Sequence, residues 1–254
     1  MQFFSNIRRK LFSALALSAI AVAPAKAGLF EFDPAPSGAY VSGFGGISFG
    51  TTPLFEGVQD PVAGAPGAAG DPANILLDFG SDRTFGGAIG YQLPFKYWSI
   101  FHPRLEIEAA NFRQGIDGGS FNGGNQTFSG QVRGTSILLN NYSDIVWRED
   151  QVIVPYIGGG IGVVFFDADV VYFGPPTAPG LFNEDTALYG TFAAGISWRF
   201  SPSLDLYTEA RVSRATNVQL ERSFSNVDGQ NLFSADVTDS INNVSVIGGV
   251  RFRF

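Results

Sequence analysis

The sequence predicts an all-β protein, an eight-stranded antiparallel up-and-down transmembrane β-barrel. Three observations point there. The last dozen residues, Asn243 to Phe254, place Val244, Val246, Gly248, Val250, Phe252 and Phe254 on one parity. Ser245, Ile247, Gly249, Arg251 and Arg253 take the other. A period of two with one apolar face is a strand, and its aromatic end departs from the polar, frayed terminus usual in soluble proteins. Composition is the second observation. Charged residues make up 15% of the chain, against roughly 25% in an average soluble domain, while Gly (32) and Phe (25) are heavily used. The third is the alternation of long and short connections between strands, reached by taking the chain in order.

Residues 1–27 read as a secretory signal. Arg8, Arg9 and Lys10 form the basic region, Leu11 to Ala23 the apolar run, and Ala25-Lys26-Ala27 a cleavage site. The apolar run is well short of the roughly 20 residues a spanning helix needs. The signal carries four basic residues and no acid, so 16 basic against 23 acidic becomes 12 against 23 in the mature chain. Nucleic-acid binding requires a positive surface and is excluded on that ground. With no Cys there is neither a disulfide framework nor a thiolate site. An exported, disulfide-free chain suits the bacterial cell envelope.

Residues 28–37 form a short periplasmic lead-in, and residues 38–254 the barrel. The first strand runs Ala39 to Phe49, with Val41, Ile47 and Phe49 on one face. After a long loop, Gly50 to Arg83, the second strand alternates Phe85, Ile89, Tyr91 and Leu93 with Gly86, Ala88, Gly90 and Gln92. Pro94 to Pro103 is an aromatic turn. The third strand, Arg104 to Arg113, sets Leu105, Ile107 and Ala109 against Arg104, Glu106 and Glu108. A Gly/Asn/Ser loop, Gln114 to Gly130, leads to the fourth strand near Gln131 to Tyr142. Consecutive Ile137, Leu138 and Leu139 leave its facing open. Ser143 to Gln151 turns into the fifth strand, Val152 to Phe166. The loop Asp167 to Asp185 precedes the sixth, Thr186 to Phe200. Ser201 to Ser203 turns into the seventh, Leu204 to about Ala215, and Thr216 to Asn242 is the last loop.

These connections measure about 34, 10, 17, 9, 19, 3 and 27 residues. Short periplasmic turns and long outer loops produce that alternation in a membrane barrel. A soluble ligand-carrying barrel also has eight alternating strands, but would show water a charged exterior. Here the less apolar face of the first, second, fifth and sixth strands is mostly Gly, Ala, Ser and Thr, which fill a narrow lumen. Tyr91, Trp98, Phe165, Trp198, Phe200 and Phe252 lie near strand ends, where interfacial girdles form.

With the strands placed, the chain resembles the small bacterial outer-membrane β-barrels that include opacity-type surface proteins and the barrel of outer membrane protein A. The likeness rests on Tyr40-Val41-Ser42-Gly43, Arg104-Leu105-Glu106-Ile107-Glu108, Pro155 to Gly162, Leu204 to Arg211 and the terminal Phe254. It covers about Gly38 to Phe254, and no peptidoglycan-binding domain follows. The resemblance implies residence in the cell outer membrane of a Gram-negative envelope, contact with its lipid and lipopolysaccharide, and no cofactor. It also implies that Val250, Phe252 and Phe254 signal to the barrel-assembly machinery.

Three groups of residues are candidates for chemistry. Arg104, Glu106, Glu108, Arg199, Asp205, Glu209, Arg211, Arg251 and Arg253 face the lumen. They form either a narrow ion path or, as favoured here, a paired network filling a bore just wide enough for side chains. His102, the sole histidine, could act as acid or base, but sits at the periplasmic end, away from outer-leaflet or external substrates. Asp167, Asp169, Glu184 and Asp185 could offer oxygen ligands; their spacing fits no calcium loop, so a solvated rim is expected and no metal. The leading expectation is a non-enzymatic barrel with a structural or surface-interaction role through four mobile extracellular loops, whose ligand the sequence does not name. The alternative is a narrow porin-like pore for small solutes.

Overall fold

The computed structural model describes residues 32–34, 36–60, 69–121, 124–173, 180–225 and 231–254. The expected signal peptide with Ala25 and Ala27 lies outside them. Among these residues twelve strands follow in order: β1 (Phe32–Pro34), β2 (Gly38–Gly50), β3 (Leu54–Gly57), β4 (Ile75–Phe79), β5 (Ser81–Gln92), β6 (Phe95–Tyr97), β7 (Phe101–Phe121), β8 (Gly124–Ile145), β9 (Ile153–Phe173), β10 (Gly180–Ser201), β11 (Leu204–Ser225) and β12 (Asn231–Arg253). Eight form an antiparallel ring, β2-β5-β7-β8-β9-β10-β11-β12, closed where β12 returns to β2 from Asn243↔Gly50 to Arg253↔Tyr40. Closure leaves no open edge among the eight, the condition a sheet must meet in lipid. The start of β2 and the end of β12 meet at one rim, the termini end of the barrel, where the Phe254 amide donates to the Ala39 carbonyl at 3.0 Å.

The six strands from β7 to β12 each run 21 to 23 residues. A membrane crossing takes roughly 9–11, so about half of each strand stands outside the bilayer. The expected long loops therefore require correction: in their described parts they are continuations of the barrel wall. Even the segment after β2 contributes. β3 pairs with β12 (Val237↔Gly57, Thr238↔Glu56), β3 with β4 (Phe55↔Ile75), and β4 with β7 (Ile75↔Phe121 to Phe79↔Ile116). Where β2 and β5 stop, β3 and β4 take their places, and the upper ring again has eight strands.

The two tiers have opposite polarity. In the tier holding the termini, outward positions are apolar, including Ile89, Ile107, Ile157, Phe192, Ile196 and Val246. All three tryptophans, Trp98, Trp147 and Trp198, are exposed at the termini end of that belt, the amphipathic ring preference for a membrane interface. In the far tier many outward residues are polar, such as Asn111, Arg113, Arg133, Asp167, Asp169, Gln219 and Asp236. Its interior is an apolar core in which Phe55, Ile75, Leu77, Phe112, Phe166 and Val237 are buried. Apolar surface is sequestered from water in both tiers, against lipid below and against itself above. The open question of the fourth strand resolves here: in β8, Ile137 and Leu139 face outward while Leu138 joins the inner core.

At the termini end the aromatic turn is a β-hairpin. Trp98 and Ser99 take left-handed φ of 50° and 58° in the three-residue connection between the paired Tyr97 and Phe101. Tyr97 stacks on Phe101 at 5.2 Å, and β1 pairs with β6 from Phe32↔Tyr97 to Pro34↔Phe95.

Candidate functional site in the barrel lumen

Inward side chains of the lower tier come from alternate positions, and closure of the ring brings them within reach across the bore. They form two ionic layers. In the layer nearer the termini, Arg104 Nε meets Asp144 Oδ1 at 3.0 Å, and its Nη1 pairs with Glu106. Tyr40 donates its hydroxyl to Glu106 at 2.7 Å. Arg251 lies 4.0 Å from Glu106 and 3.5 Å from Asp205, and Arg253 closes on Asp205 at 2.5 Å. The second layer centres on Arg211. Its two terminal nitrogens grip Glu108 at 2.6 and 2.9 Å, and its Nε donates to Glu209 at 2.9 Å. Asn140 donates to Glu108 at 3.1 Å.

Aromatic rings finish the enclosure. The Arg104 guanidinium lies over Tyr142 (4.2 Å) and Tyr156 (4.8 Å), and that of Arg251 over Tyr40 (5.0 Å) and Tyr207 (5.3 Å). Such contacts gain strength away from water. The rings fit because their register partners are glycines: Tyr40↔Gly90, Tyr142↔Gly158, Tyr156↔Gly195 and Tyr207↔Gly249. A Cβ on Gly90, Gly195 or Gly249 would collide with the partner's ring.

Eight of the nine predicted lumen charges enter these layers. Arg199 stands apart, half-buried, its Nη1 donating to the Gln151 carbonyl at 3.3 Å. Asp144, Tyr40, Asn140, Tyr142 and Tyr156 were not anticipated as partners. Asp144 falls in the stretch read as a turn, yet β8 runs on to Ile145 and points it inward. Counting Arg199, the lumen holds five arginines and five carboxylates among the described residues. That balance lets charges tolerate burial.

Above the Arg211 layer a cavity of about 10 Å³ remains, bordered by Phe44, Ser48, Thr84, Phe112 and Tyr189. It is comparable to the space of a single water. Beyond it begins the apolar core. The other candidates lie apart from these layers. His102 is buried beneath the first short turn, its Nε2 2.8 Å from the Leu93 carbonyl. Asp167 and Asp169 point outward from β9 rather than lying in a loop, and Glu184 is the register partner of Asp167. Among the described residues no three His, Cys, Asp or Glu side chains converge as a metal cage.

A closed ring with an apolar exterior, an aromatic belt and an ionic lumen defines an integral outer-membrane β-barrel. Several solved structures are similar to it in fold. The Escherichia coli outer membrane protease OmpT matches at a TM-score of 0.50 and 13% identity, over 88% of this chain and 98% of that one. OprG from Pseudomonas aeruginosa matches at 0.47 and 13%, covering 85% and 96%. Neisserial surface protein A matches at 0.42 and 12%, covering 87% and 100%. At such identities the similarity is one of fold. No protein-family model matches the chain, and no curated protein does. The chain has the fold of the small bacterial outer-membrane barrels, and its place is the outer membrane.

Proposed function

We propose that this barrel is non-enzymatic and closed, and that it serves a structural or surface-interaction role through the tier it raises above the membrane. One observation carries the reading: the interior of that tier is filled by a buried apolar core that includes the β3 and β4 residues Phe55, Ile75 and Leu77. Ions crossing the lumen would have to pass two interlocked ionic layers and then this core. In its described residues the far tier is also walled by paired strands, which carry a largely polar outer surface. In planar bilayers the folded protein is expected to give no stable unitary steps. Regular steps that change on Glu106→Gln or Arg211→Ala would establish the pore reading instead.

At 13% identity the fold shared with a protease carries no argument about chemistry. The single imidazole of this chain, at His102, lies at the termini end, which in membrane barrels is the periplasmic side. That end is also where assembly would be signalled. Val250, Phe252 and Phe254 lie on the outward parity of β12, and Phe254 is 83% exposed. Their apolar row is available to a partner in the envelope. Deleting Phe254 is expected to lower the yield of heat-modifiable, membrane-inserted protein severalfold, read on detergent gels of boiled and unboiled outer membranes. Undiminished yield would remove the signal reading.

A further inference from the structure

We infer that the periplasmic mouth of the lumen holds a binding site for a protonated phosphate, as the free ion or a monoester, built from Ser197, Arg199, Asp205 and Arg251. The site goes beyond the structural role proposed above and rests only on the fold. The four residues face inward in one corner of the ring. Ser197 and Arg199 stand two positions apart on β10. Arg199 is the register partner of Asp205 on β11, and Asp205 that of Arg251 on β12.

Hydrogen bonding singles out this corner. Nine buried side-chain polar atoms have no partner among the described residues, and four of them are Ser197 Oγ, Arg199 Nε, Asp205 Oδ1 and Arg251 Nε. Buried polar groups are nearly always paired, so four such atoms in adjoining positions point to a ligand. Ser197, Asp205 and Arg251 are 1%, 0% and 2% exposed. Arg251 and Arg253 both crowd Asp205 Oδ2, at 3.5 and 2.5 Å, and leave Oδ1 without a partner. Arg199 makes no ion pair among the described residues; the Gln151 carbonyl holds its Nη1 at 3.3 Å. A guanidinium held by one neutral oxygen can turn onto an incoming anion. Arg199 and Arg253, partly exposed, form the rim of the site, and Ser197, Asp205 and Arg251 its floor.

Net charge alone does not select the ligand. The inward charges at this end are Arg104, Arg199, Arg251 and Arg253 against Glu106, Asp144 and Asp205, and Arg104 already engages Glu106 and Asp144. On the turns outside, Lys96 stands opposite Asp33 in register and Arg148 lies 3.7 Å from Asp150. What decides is the mix of unpartnered atoms: three that can donate and one, Asp205 Oδ1, that only accepts. Sulfate or a carboxylate would answer the donors but turn a bare oxygen toward Asp205. A phosphate keeps a proton at about pH 6. It can accept from Arg199 Nε, Arg251 Nε and Ser197 Oγ while its P–OH donates to Asp205 Oδ1. Charge-assisted bonds of this kind are the strong ones, and a proton-free ion is rejected through the acceptor it strands.

The test titrates the full-length folded barrel, in phosphate-free non-ionic detergent, with inorganic phosphate and separately with glycerol phosphate, by calorimetry at about pH 6. Binding of either is expected, and their ratio tells the free ion from an ester. Sulfate and the diester dimethyl phosphate, which bring no acidic proton, are expected to bind at least about tenfold more weakly. Arg199→Gln and Ser197→Ala are expected to weaken phosphate by a similar factor, while Arg148→Gln, on the turn outside, leaves it unchanged. Asp205→Asn, whose amide can donate, is expected to bring sulfate up to phosphate. No phosphate binding, sulfate equal to phosphate on the wild type, or full affinity in Arg199→Gln would each overturn the site. Should Asp205→Asn fail to fold, the wild-type preference for phosphate over sulfate decides alone.

Discussion

Replacing Arg104 by Met is expected to cost about 3–5 kcal/mol of unfolding free energy, the penalty for removing one partner of a buried ion pair. Arg104 is 1% exposed and holds two carboxylates, Asp144 at 3.0 Å and Glu106 beside it, under the rings of Tyr142 and Tyr156. Met fills much of the same volume, so the deficit measures two stranded charges rather than a void. The further variant Arg104→Met, Glu106→Gln, Asp144→Asn is expected to recover most of the loss, because neutral amides need no counter-charge. Exposed Arg148 and Asp150, 3.7 Å apart in a turn, supply the control. Arg148→Ala is expected to change stability by less than about 1 kcal/mol, as surface pairs do. Urea unfolding in lipid vesicles followed by tryptophan fluorescence reads all three. A loss for Arg104→Met no larger than that for Arg148→Ala would show that the lumen is wet and the network dispensable.

The lower tier was legible in the sequence because lipid imposes one rule on all eight strands: apolar outward, small or ionic inward. The upper tier was not, and β7 shows why. Arg104, Glu106 and Glu108 share an inward parity with Phe112, Gln114 and Ile116, and all six are buried. Leu105 and Ile107 share the outward parity with Asn111 and Arg113. As the strand leaves lipid for water, its apolar face changes sides while its register continues. A search for one constant apolar face therefore loses the strand at that point and reads a loop. In β11 a bulge between Ala215 and Val218, with Asn217 at φ 56°, changes which sequence positions face inward, so even an inverted pattern breaks there. The ionic residues were recognisable by parity, but their partners were not. Which guanidinium meets which carboxylate depends on stagger around the ring, and Asp144 was hidden in an assumed turn.

Substituting Gly90 by Val is expected to destabilise the barrel by about 3 kcal/mol, at the upper end of what overpacking does, and the reason is specific to one cross-strand pair. Gly90 is the register partner of Tyr40, and a Cβ there would strike the Tyr40 ring and hydroxyl. The ring cannot simply swing aside. Its hydroxyl donates to Glu106 at 2.7 Å and accepts from Arg104 at 3.3 Å, and its face carries the Arg251 guanidinium at 5.0 Å. Displacing Tyr40 would therefore loosen both arginines of the lower ionic layer. The glycine thus acts as a socket that lets an aromatic lie flat along the inner wall and hold two arginines in place. A double-mutant cycle isolates this coupling. In a Tyr40→Ala background, Gly90→Val should destabilise by less than about 1 kcal/mol, since no ring remains to displace and Val suits a strand. By contrast, Gly43 and Gly248 face outward, and a Cβ there would meet its nearest neighbour only at 4.0 and 3.8 Å. Alanine at either is expected to be tolerated within about 0.5 kcal/mol, as surface substitutions usually are. Equal losses at Gly90 and Gly43, or an additive cycle with Tyr40, would mean that the inward glycines serve general backbone flexibility and not ring seating.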